Sequence, residues 1–237
     1  MKFRLLIFMA LVGFGAAAQK EKPKNYRKFD ERTFHFGFML GANSSGYSLY
    51  QKVDAYQQYG LKGMTVKSQP GAQLGILTTM KIGTPMVRLR FIPSLSFQER
   101  VINQVFVNPA DLEKDILNEE RINATSLDFP LMFQFRTLRL NNFAAYCLVG
   151  GQYSLDLQSQ QDAAQQFDDP FIKMKKHDFL GQVGAGVEFF APFFKFGIEI
   201  KYSHSFMNGF IQDNTRSSLP IDKIYNSGWI FSIIFEG

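Results

Sequence analysis

Along residues 193–206, FFKFGIEIKYSHSF, every second side chain is apolar or aromatic. Phe194, Phe196, Ile198, Ile200, Tyr202 and Phe206 share one face, with His204 between the last two. Lys195, Gly197, Glu199, Lys201, Ser203 and Ser205 share the other. A period of two predicts a strand whose faces meet different surroundings. The run is long, aromatic at its ends, and charged on one face. That is the pattern of a transmembrane β-barrel strand, with lipid on the apolar face and lumen on the polar one.

Seven further segments carry the period. They run from about Phe34 to Asn43, Pro70 to Ile82, Met86 to Gln98, Ala124 to Thr137, Asn142 to Leu155, His177 to Phe190 and Tyr225 to Glu236. The Asn142–Leu155 segment alternates weakly, so its faces stay unassigned. Eight is an even number, as bacterial single-chain barrels require. The connections alternate between long (about residues 44–68, 99–123, 156–176 and 207–224) and short (residues 83–85, 138–141 and 191–192). This predicts a closed, all-β, eight-stranded antiparallel transmembrane barrel over residues 34–237. Its short turns and both termini are expected in the periplasm. Pro93 and Pro130 fall inside predicted strands, where a missing N–H predicts a bulge or a lost ladder bond.

The start of the chain reads as an address. Lys2 and Arg4 precede an apolar run, Leu5–Phe14, and Ala16–Ala18 offers a cleavage site, so residues 1–18 are expected to be a signal peptide. Residues 19–33, rich in Lys and Glu, are expected to form a mobile periplasmic lead-in. Loss of Lys2 and Arg4 takes the net charge from +5 to +3, too little and too dispersed for nucleic acid. Cys147 is the one cysteine, which excludes an intrachain disulfide.

The alternation sends His35, Arg88, Arg90, Asp128, Gln134, Arg136, Glu188, Lys195, Glu199 and Lys201 inward. An eight-stranded lumen is just wide enough to be filled by side chains. Opposite charges there should pair, because an unpaired buried charge is expensive. A structural charge network of Arg88, Arg90, Asp128, Arg136, Glu188, Lys195, Glu199 and Lys201 is therefore expected, the alternative being a conducting pore or a small-ligand site. Ser203-His204-Ser205 invites a catalytic reading. Neighbours on a strand point to opposite faces, however, so His204 cannot serve either serine as base. No catalytic residue, cofactor or metal site is expected. In the first long loop, Tyr47, Tyr50, Tyr56 and Tyr59 are candidates for partner contact. Residues 111–121, DLEKDILNEER, suggest a short surface helix.

The segment Phe29–Asn43, FDERTFHFGFMLGAN, resembles the start of the barrel in the PorT/SprT family of Bacteroidetes. The stretch Glu199–Asn208, EIKYSHSFMN, is similar to the penultimate strand of small outer-membrane barrels of that phylum. Residues 226–233, NSGWIFSI, resemble the C-terminal signal read by the barrel-assembly machinery, although the chain ends in Glu236-Gly237 rather than an aromatic residue. The resemblance implies an outer-membrane component of type IX protein secretion, and of gliding motility where present. It would be a non-catalytic accessory or assembly partner of a larger translocon barrel, embedded in outer-membrane lipid. The alternative is a generic small barrel: an adhesin, a surface-binding protein or a minor porin.

Overall fold

A computed structural model describes residues 24–109, 114–159 and 172–237. The expected signal peptide lies outside the described residues, as do residues 19–23 of the lead-in. The strands are β1 (Phe34–Gln51), β2 (Leu61–Lys81), β3 (Val87–Phe91), β4 (Ser94–Phe106), β5 (Ile116–Arg136), β6 (Phe143–Asp156), β7 (Lys173–Met174), β8 (His177–Phe190), β9 (Lys195–Ser205), β10 (Phe210–Ile211) and β11 (Ile221–Glu236).

The ladders close into a ring. β1 pairs with both β2 and β11; β11, β9, β8, β6 and β5 follow in turn, and β3 with β4 joins β5 back to β2. All pairings are antiparallel. β3 and β4 are one stave interrupted at Ile92-Pro93, so the ring has eight staves. Closure leaves no sheet edge inside the bilayer, where an unpaired backbone group costs several kcal/mol.

The interruption is where the prolines predict trouble. Pro93 cannot donate, and the facing strand carries Pro130. Carbonyls bridge the gap instead: Ile92 N–H donates to Pro130 O at 3.3 Å, and Ile76 N–H to Pro93 O at 3.0 Å. On the other side stands Gly75, where a Cβ would come within 2.9 Å of the Ser94 Cβ and 3.0 Å of the Ile92 Cγ2. A larger residue there would push β2 off the break. Pro130 itself stays in β5, paired with Gln152 of β6.

The burial is inverted relative to a water-soluble protein. Outward residues such as Phe36 (63%), Ile76 (67%), Ile198 (51%) and Phe231 (54%) are exposed, whereas Arg88, Arg90, Glu188, Glu199 and Glu236 are at most 1% exposed. β6 resists sequence reading because its outward positions include Ala145, Cys147 and Gly151, while Tyr146 and Leu148 point inward.

The first two long connections are shorter than expected, because the strands continue. β2 and β5 have 21 residues each and β1 has 18, beyond the roughly 9–11 that cross hydrocarbon. At the long-loop end β1–β11 and β2–β4–β5 extend as two ribbons. The helix Ala55–Tyr59 joins them. Tyr47, Ile102, Ile172, Phe210, Ile221 and Ile224 form a core there, with Val66 and Ile122 packed against it. Residues 100–104 of β4 are buried on both faces, which erases the alternation. The expected helix over 111–121 is corrected too: residues 116–121 belong to β5, and 111–113 lie outside the described residues.

Outward charge separates bilayer from ribbon. Ile200→Arg, mid-β9, is expected to cost about 2–4 kcal/mol in lipid, and Leu117→Arg on the β5 ribbon about 0–1 kcal/mol. Denaturant titration in lipid vesicles checks both.

Candidate functional site in the barrel lumen

The lead-in was expected to be mobile; from Asn25 onward it is docked in the short-turn mouth. A 3-10 turn, Arg27–Asp30, drives Phe29 into the barrel, where it is fully buried. Its ring stacks on His35 at 3.8 Å and meets the Phe190 edge at 5.5 Å. Arg88 lies over the same ring at 4.8 Å and Lys195 at 4.5 Å, a cation–π arrangement strengthened by desolvation. Asp30 follows and pairs with Arg136 at 2.6 Å, Arg88 at 3.1 Å and Arg139 at 3.9 Å. Backbone anchors complete the seal: Asn25 N–H donates to Asn142 Oδ1 at 2.8 Å, and Lys81 Nζ to the carbonyls of Asp30 and Glu31.

Above this seal sits the charge cluster. Arg90 pairs with Glu199, lies 3.9 Å from Glu236 and 4.0 Å from Glu188, and donates to Gln134 Oε1 at 3.1 Å. Lys195 reaches Glu236 at 2.5 Å and Glu188 at 2.9 Å. Arg136 holds Glu188 at 3.1 Å and Lys201 holds Glu199 at 3.3 Å. Tyr146 donates to Glu199 at 2.7 Å, and Arg90 lies 5.3 Å from its ring centre. Thus Arg88, Arg90, Arg136, Glu188, Lys195, Glu199 and Lys201 are brought together. Beyond them Met39, Leu77, Ile92 and Ile234 pack as an apolar layer, with Met132 and Leu148 packed on Tyr146.

Asp128 is not in this cluster, which corrects the expected network. It lies further along β5, past Met132 and Pro130, where Ser154 donates to it at 2.5 Å and Gln73 at 3.4 Å. Four members were missed: Glu236, Asp30, Tyr146 and Arg139, the last in a predicted turn. Glu236 follows from the alternation of Trp229, Phe231, Ile233 and Phe235, which turns the next residue inward. Asp30 precedes any period, and Tyr146 sits on the strand without a clear one.

The tyrosines divide. Tyr47 points inward, 7% exposed, with Arg100 4.8 Å over its ring; its burial removes it from any contact surface. Tyr50 (55%) and Tyr56 (61%) are exposed at the ribbon tips, and Lys52 covers the Tyr59 ring at 5.7 Å. His204 stacks outside the wall on Tyr225 at 6.1 Å, opposite the inward Ser203 and Ser205. Among the described residues no cluster of three or more His, Cys, Asp or Glu could hold a metal.

The family model for an outer membrane protein beta-barrel domain matches residues 17–210, more than half of the chain. Comparison with curated proteins finds no sequence match. Among solved structures the chain is similar to the outer membrane protein OprG from Pseudomonas aeruginosa, at 14% identity and TM-score 0.46, with 92% of this chain and 99% of that one covered. It is also similar to Neisserial surface protein A (9%, TM-score 0.39, 84% and 95% covered). A third is Ail, the attachment invasion locus protein of Yersinia pestis, solved with the heparin analogue sucrose octasulfate (11%, TM-score 0.39, 87% and 100% covered).

The docked lead-in has a pH signature. Burial pushes the Asp30 carboxyl up, but the hydrogen bond and charge of Arg136, with Arg88 and Arg139, outweigh it and hold the group below its usual 3.8. A depressed folded value means the contribution is complete above 3.8 and lost as pH falls through the lower one. Amide protection over residues 25–32, taken relative to intrinsic exchange at each pH, should therefore stay high at neutral pH and fall in acid. Asp30→Asn should give the low protection already at neutral pH.

Proposed function

The chain belongs to the outer membrane protein beta-barrel domain family, and we propose that it is a plugged, non-catalytic barrel of the bacterial outer membrane that acts through its surface. The observation that carries this reading is a lumen filled in series: the Phe29–Asp30 seal, the Arg90–Glu199 charge cluster, an apolar layer, and the ribbon core under Tyr47, Phe210 and Ile224. Such a lumen favours neither a diffusion pore nor passage of a polypeptide. Contact with other molecules is left to the ribbons, which carry Tyr50 and Tyr56 past the bilayer, and to the outer wall. The short turns and docked lead-in then face the periplasm.

A narrower assignment comes from the PorT/SprT resemblance: an accessory of a type IX translocon, touching a large barrel. Residues 29–43 are its main support. Much of that segment already has a use within the fold, since Phe29, Asp30 and His35 build the seal and Phe34, Phe36 and Phe38 face lipid. The surface-binding reading is therefore the stronger of the two.

Planar-bilayer recording tests the plug. The full chain should give no long-lived conductance, and large stable steps would overturn this reading. Gene deletion tests the narrower one: loss of C-terminally signalled cargo from the medium, with other barrels unchanged, supports the translocon role, and normal export removes it.

A further inference from the structure

Past the apolar layer the lumen opens into a polar cavity of about 60 Å³, reached from the rim at Gln98, Asp156, Lys175 and Lys176. Its charges are arranged unlike those of the cluster below. There, Glu188, Glu199 and Glu236 each have a cation within 4 Å. In the cavity Arg100, Asp128 and Asp178 are buried at 7%, 1% and 6% exposure. Among the described residues none of the three has an opposite charge within 4.0 Å.

Neutral groups hold these charges in place instead. Asp128 accepts from Ser154 and Gln73. Asp178 accepts from Ser205 and, at 2.6 Å, from Asn226 Nδ2. Arg100 donates to Gln98 and to the Tyr47 hydroxyl. Its Nε has no partner, nor has Asn226 Oδ1, which also lines the cavity. The ladders set Asp128, Ser154 and Asp178 on one rung across β5, β6 and β8. Two inward carboxylates on strands about 4.8 Å apart, one strand removed from each other, can share one cation. Asp156, Lys175 and Lys176 line the rim of the same cavity, so both signs surround it, but none of the three buried charges is paired at contact distance. Such an arrangement is costly and suits a ligand that brings both signs.

We propose that this cavity binds a small zwitterion of the amino-acid class, its ammonium between Asp128 and Asp178 and its carboxylate on Arg100. A simple anion would meet two carboxylates, and a sugar would bring no charge to any of the three. No metal cluster of three donors exists among the described residues. One water needs about 10–15 Å³, so the cavity seats roughly four to six water-sized groups. Glycine and alanine are of that size. The inference is independent of the surface role proposed above.

The test is calorimetric titration of the full chain, folded in detergent, with glycine, L-alanine, methylammonium and acetate. Glycine or alanine should bind saturably at one site, with methylammonium and acetate each at least about tenfold weaker, because each satisfies only one half of the site. Asp178→Asn and Arg100→Gln should each weaken binding by about tenfold or more. Heat-modifiable gel mobility reports folding of each variant, and Ser203→Leu, which fills the cavity wall, supplies a second block. Absence of saturable binding by both amino acids overturns the proposal. So does methylammonium binding as tightly as glycine with Arg100→Gln unaffected, which would leave a cation site only.

Discussion

A charge inside an eight-stranded barrel must be met by an opposite charge or by polar groups that hold it. The lumen is too narrow to keep bulk water around it, and an unpaired ion there costs several kcal/mol. The Arg90–Glu199 pair answers this constraint where both side chains are at most 1% exposed. Arg90 comes from the interrupted β3–β4 stave and Glu199 from β9, across the barrel. Glu188, Glu236, Lys195 and Lys201 then tie β8, β9 and β11 to the same point. Strand register and lumen chemistry are thus coupled, since a one-residue slip would turn these charges into lipid.

The seal depends on the cluster as well. Among the described residues Arg88, Arg90, Arg136, Arg139, Lys195 and Lys201 share three carboxylates from the strands, Glu188, Glu199 and Glu236. The excess cations gather at the short-turn mouth, and Asp30 is the carboxylate that comes to them. A lead-in rich in Lys and Glu is thereby anchored by one acid and one phenylalanine, with Asn142 and Lys81 holding its backbone. The further end shows the opposite balance. Asp128 and Asp178 are held by hydroxyls and amides, and the space beside them stays open.

How much of this the sequence reveals depends on what each residue faces. Where one face meets lipid, as in β1, β9 and β11, the alternation is plain and the staves can be placed within a few residues. β6 hides its faces because small outward residues sit opposite Tyr146 and Leu148. The ribbons are lost to the pattern for a different reason: past the bilayer both faces of residues 100–104 are buried, so neither is marked as apolar. The inward charges were legible one by one, but their grouping was not. Asp128 and Glu199 carry the same inward signal and belong to different layers. Tyr47 looked like a loop tyrosine beside Tyr50, and only the continuation of β1 turns it into the lumen.

The most direct test of the central claim is a double-mutant cycle on the pair at its centre. Arg90→Met and Glu199→Gln would be compared, alone and together, by equilibrium unfolding in lipid vesicles. If the lumen is held by paired charges, each single change costs about 3–5 kcal/mol, because it strands a buried partner, and the double change costs far less than their sum. Additive losses, or singles within about 0.5 kcal/mol of the parent, would mean that the lumen is wet and that its charges are solvated rather than paired.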